Sequence, residues 1–89
     1  MSENEKKILI LMLLLRITKL GADCKMEEYV REEIDLDNTS FDEAKSSLVS
    51  AGLIHHQCGH NDTCCPISFT IKGAQKARSL LVDLLFLKN

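Results

Sequence analysis

The sequence predicts an α+β chain, mostly helical, in the order helix, helix, helix, strand, strand, helix. Three observations predict it. Apolar residues recur at helical spacing in four segments. Gly21, Gly52 and Gly73 stand at the edges of those segments, where glycine ends helices and opens turns. Two short strand-like runs, 53–57 and 67–71, flank a loop between the third and fourth helical segments.

The first helix is expected from about Glu5 to Leu20. Apolar residues cover nearly its whole circumference between Ile8 and Leu15. A helix of that kind is buried on more than one side. Gly21 stops it, and Lys19 suits the negative end of the helix dipole. A second helix is expected from about Lys25 to Ile34, with Asp23 or Cys24 near its cap. Glu27 and Glu28 fall in its first turn, where the dipole favours acids. Met26, Tyr29, Val30 and Ile34 form its apolar stripe, and 35–38 is a polar turn.

The third helix is expected over 40–51. Ser40 and Glu43 fit a capping box, and Gly52 is a stop. Phe41, Ala44, Leu48 and Ala51 share one face. The hairpin spans 53–71, with Pro66 at the start of its second strand, where it costs no ladder hydrogen bond. The last helix spans 73–87 and is almost solidly apolar after Leu80, Asp83 excepted. With no repeats, low-complexity tracts or linkers, residues 1–89 read as a single domain.

At 89 residues and 45% hydrophobic, the chain can fill one core, built of aliphatic residues because Trp is absent. The net charge of -2 gives no basic footprint, which counts against tight nonspecific binding to nucleic acid. It leaves room for a dimer that concentrates positive charge on one face. The longest apolar run, Ile8 to Leu15, is far short of the ~20 residues a membrane span needs, so no membrane partner is expected. The acidic start, Met1 to Glu5, does not resemble a signal peptide. The expected location is the cytoplasm. No Gly-rich phosphate loop, paired-carboxylate cleft or nucleophile elbow is present, so neither enzyme activity nor a small-molecule substrate is expected.

Two stretches carry a family resemblance. Ala51-Gly52-Leu53-Ile54 resembles the end of the recognition helix in winged helix-turn-helix regulators. Phe69-Thr70-Ile71-Lys72-Gly73 resembles the wing-to-helix junction of their MarR and PadR kinds. The resemblance covers about Glu5 to Leu87 and implies a winged helix-turn-helix with a C-terminal dimerisation helix. It implies a homodimeric regulator of transcription whose partner is double-stranded DNA. The third helix would enter the major groove and present Thr39, Asp42, Lys45, Ser46, Val49 and Ser50. Lys72, Lys76 and Arg78 would add phosphate contacts from the base of the hairpin. One departure stands out. Such regulators usually carry several Arg or Lys on this helix and wing. Here the helix offers only Lys45 and the hairpin none between Leu53 and Ile71. That departure favours a rival class, a winged helix that binds a protein partner and no DNA.

The hairpin loop concentrates Cys58, His60, Cys64 and Cys65. In an intracellular chain, cysteines favour metal, redox or free thiols over a structural disulfide framework, hyperthermophile proteins excepted. Zinc takes four N or S donors in a tetrahedron, and these residues supply four, although Cys-x-His-x3-Cys-Cys is no standard zinc spacing. A disulfide from Cys58 to Cys64 or Cys65 would equally stiffen the wing or switch it with redox state. Idle reduced thiols are the third reading. His55 and His56 alternate across a strand and cannot both face one metal. Cys24 reads as a small capping residue, and a helix N-terminus there would lower its thiol pKa.

The first and last helices hold more Leu and Ile than a small core can hide, which marks an interface. Leu80, Leu81, Leu84, Leu85, Phe86 and Leu87 are the expected dimer contact.

Overall fold

The computed structural model describes residues 1–19, 25–56 and 67–86. Helix α1 spans Glu3–Thr18, α2 Met26–Glu33, α3 Asn38–Ser50 and α4 Ile71–Phe86. Strands β1 (Ile54–His56) and β2 (Ile67–Phe69) lie between α3 and α4. The strands pair antiparallel, with Ile54 opposite Phe69 and His56 opposite Ile67. This is the mostly helical α+β order the sequence predicts, and it matches the winged-helix plan.

Three helix starts are earlier than expected, each for a capping reason. Ser2 caps α1: its hydroxyl accepts from Glu5 N–H and donates to the Glu5 carboxylate, at 3.2 and 2.9 Å. The acidic start of the chain is therefore the first turn of a helix. Asp37, rather than Ser40, caps α3 by accepting from Ser40 N–H at 2.7 Å. Thr70 opens α4 by accepting from Gly73 N–H at 2.9 Å. A side-chain oxygen here satisfies a donor that has no partner within the helix. At the other end, α1 stops at Thr18, and Lys19 N–H donates to Leu15 C=O. Lys19 lies over the Tyr29 ring, 4.2 Å from its centre. Helix α2 has no side-chain cap bond at Lys25; the expected cap residues Asp23 and Cys24 lie outside the described residues.

The end of α3 shows why Ala-Gly-Leu-Ile suits this corner. Gly52 takes φ +74°, the left-handed conformation that side chains disfavour. Its N–H donates to Val49 C=O and Leu53 N–H donates to Leu48 C=O, both at 3.0 Å. That pair of bonds is a Schellman cap. Leu53 and Leu48 are both buried, supplying the apolar contact that accompanies it.

Helix α1 packs against α2, α3 and α4, which accounts for its apolar circumference. Ile8, Leu9, Met12 and Leu15 are buried on it. Met26 and Val30 from α2, Phe41, Ala44 and Leu48 from α3, and Ile54 and Ile67 from the strands complete the core with Leu53 and Ala77. Ala51, expected on the buried face of α3, is exposed because the helix has already reached its cap there. No helix among the described residues is long and apolar enough to cross a membrane.

Candidate nucleic-acid interface

Burial of Phe41, Ala44 and Leu48 fixes which side of α3 faces out. Thr39, Asp42, Ser46, Val49 and Ser50 are exposed on it, as the helical spacing predicts. Lys45 differs. Its side chain is only 14% exposed, and its ammonium donates to the Glu27 carboxylate on α2 at 3.1 Å. The one cation of α3 is thus held inside the protein's own ion-pair network.

Glu27 is the hub of that network. Its Oε2 accepts from Arg31 Nε at 3.2 Å, one turn along α2. Its Oε1 accepts from Lys45 and lies 3.5 Å from His56 Nε2 on β1. One carboxylate therefore ties α2, α3 and the base of the hairpin together. Arg31 extends the network across the first turns of α3. Its Nη1 donates to Asn38 Oδ1 at 3.0 Å and its Nη2 to Asp42 Oδ1 at 2.5 Å. The guanidinium lies over the Phe41 ring, 4.2 Å from its centre, a cation–π contact that fixes its plane. The bond from Arg31 holds the Asp42 carboxyl below its ordinary value.

Sequence reasoning passed over Arg31, Glu27 and Asn38. The signal for the first pair was present, because Glu27 and Arg31 are spaced i, i+4 with the acid first. Pairing of Lys45 with Glu27 joins residues 18 positions apart and leaves no local mark.

Lys72 and Lys76 are exposed on one side of α4 and, with Met1, Ala51, Leu53 and Gln75, line a surface hollow of about 450 Å³. They stand beside the turn that ends α3. Arg78 is exposed on α4 and does not line that hollow. The expected dimer residues divide. Leu80 packs against the core, and Leu84 lines a second hollow of about 660 Å³ with Ile10, Leu11, Leu14 and Ile34. Leu81 is half-buried, Leu85 and Phe86 are 61% and 68% exposed, and Leu87 lies outside the described residues. Cys58, His60, Cys64 and Cys65 also lie outside them, as does Cys24. Among the described residues no group of three or more His, Cys, Asp or Glu could hold a metal ion.

No protein-family model and no curated protein matches the chain. Among solved structures, the chain is similar to SSV1 F-93, with a TM-score of 0.67 and 20% sequence identity over 99% of this chain and 88% of that one. That likeness bears on the fold, which both chains keep across nearly their full lengths.

Proposed function

We propose that this chain is a small, dimeric winged-helix DNA-binding regulator of transcription. The observation that carries the reading is the exposed face of α3. Thr39, Ser46 and Ser50 present hydroxyls along a helix anchored by Phe41, Ala44 and Leu48. Hydroxyls of this kind bond to phosphates and base edges. Lys72 and Lys76, beside the end of α3, add positive charge on the flank. Arg78 is a further candidate phosphate contact on α4.

Dimerisation is supported by apolar surface that one chain leaves open. Leu14 and Ile17 on α1 are 41% and 67% exposed, and Val82, Leu84, Leu85 and Phe86 on α4 are 45–68% exposed. These side chains present roughly 600 Å² per chain, against the ~800 Å² per partner of a standard interface, of which about two thirds is apolar in homodimers. A two-fold pair of such chains would offer two α3 helices to a palindromic site.

Fluorescence anisotropy with a mixed-sequence duplex at low and rising salt tests the reading. Binding that weakens steadily with salt is expected, and no binding at low salt overturns it. A second reading, a winged helix that docks a protein and no DNA, is favoured by the enclosure of Lys45 and by the exposed acids Asp42 and Glu43. A null anisotropy titration with an intact dimer would support that alternative.

A further inference from the structure

We infer that Arg31 is the phosphate-binding cation of this surface and that Asp42 occupies it until DNA arrives. The inference rests on the DNA-binding reading above and adds a residue from outside the recognition helix. Arg31 belongs to α2, yet its guanidinium lies against Asn38 and Asp42, in the first turns of α3. In helix-turn-helix proteins the N-terminal part of the recognition helix is the part that meets DNA. The guanidinium is 28% exposed, and the Asp42 carboxylate that covers it is 57% exposed.

Its geometry is prepared in advance. Nε is held by Glu27 and the plane by the Phe41 ring, so the Nη2 donor has a fixed direction. A carboxylate and a phosphate present similar oxygens to a guanidinium fork. Asp42 therefore takes the position that a phosphate oxygen would take. Its side chain is exposed on a helix surface and can swing into solvent without disturbing the core. Lys45 is a poorer candidate, because its 14% exposure leaves it facing Glu27. The exchange also accounts for the neutral character of this surface: its cation is present and internally compensated.

The test is a double-mutant cycle read by duplex anisotropy across a salt series. Asp42→Asn should tighten binding about fivefold and steepen the plot of log K against log salt by about 0.9, the signature of one added phosphate contact. Glu43→Gln is the control. It removes the same charge from the neighbouring residue, which makes no bond to Arg31 among the described residues. It should give a smaller gain with no change of slope. In an Arg31→Gln background, Asp42→Asn should give no more than Glu43→Gln does. Equal gains from Asp42→Asn and Glu43→Gln, or a gain that survives Arg31→Gln, would overturn the inference while leaving DNA binding intact. Absence of binding by every variant at low salt would overturn both. Circular dichroism checks that Arg31→Gln folds. If it does not, the Arg31 Nε–H resonance of the unmodified protein decides. It should shift on adding duplex, and a fixed resonance under saturating duplex sinks the inference.

Discussion

The carbonyl oxygen of Leu53 lies 1.7 Å from where a Cβ on Gly73 would stand. Helix α4 therefore meets the turn that ends α3 backbone to backbone. Thr70 secures the junction: its hydroxyl lies within bonding distance of the carbonyls of Gly52 and Leu53, at 2.7 and 3.1 Å, while accepting from Gly73 N–H. The Thr70 to Gly73 spacing joins the helix start to this close approach. Gly73→Ala should destabilise the fold by about 2 kcal/mol or more, because the obstacle is backbone. Gly52→Ala should cost only about 1 kcal/mol, since its Cβ would meet open space and only the left-handed φ resists. Chemical denaturation of the two variants checks the order, and equal losses would contradict it.

Glu27→Ala should lower stability by about 1–2 kcal/mol, because it strands the enclosed Lys45 ammonium and loosens Arg31. Glu27→Gln keeps an acceptor and should cost less. Hydrogen exchange should rise at the start of α2 and at His56, the two elements that Glu27 joins to α3. An unchanged exchange pattern would refute the hub.

Acid should weaken the fold through two carboxyls. Asp37 is held below its ordinary value mainly by the backbone N–H of Ser40, and Asp42 mainly by its bond from Arg31. Depressed carboxyls contribute stability that is complete above their unfolded pKa and lost as pH falls through the folded one. Their ordinary value is about 3.8, so the loss should occur below about pH 4. Melting temperature against pH measures it. Asp37→Asn keeps a capping oxygen and should flatten part of that fall, and Asp42→Asn another part.

Sequence legibility followed the range of the interaction. The end of α3 was readable because a Schellman cap is written in consecutive residues, with Gly52 at its centre. The start of α3 was misplaced because Ser40-x-x-Glu43 and Asp37-x-x-Ser40 both spell a cap three residues long, and the earlier one won. The outward face of α3 followed from the spacing of Phe41, Ala44 and Leu48. The fate of Lys45 did not, since Glu27 reaches it across 18 positions and a different helix. The same holds for Arg31, whose partner Asp42 is 11 residues away.

Phe86→Glu and Leu85→Glu should convert a dimer into a monomer of 10.0 kDa while leaving the melt of each chain's own core nearly unchanged, because both side chains are largely exposed. Light scattering after size exclusion reads the mass. Leu80→Glu should instead unfold the chain, because Leu80 packs against the core. A monomeric unmodified protein would dismiss the interface.

The loop cysteines call for a mass measurement on protein purified without reductant or chelator. A mass lower by about 2 Da marks each disulfide, and a native spectrum carries any bound zinc. Cys58→Ser should then abolish the bond or the metal. Four free thiols with no metal would remove the sensor reading.

The packing of α1 against α4 has a consequence for how the chain is made. The most apolar helix is synthesised first, and one of its principal partners is the final described element. Until the ribosome has added residues up to Phe86, the side of α1 that α4 covers has no cover from its own chain. Ala77 and Leu80 complete the core only at that late point. Closing this contact spans nearly the whole sequence, so the fold is completed after α4 emerges, and a nascent chain halted before α4 should be a client for chaperones and proteases.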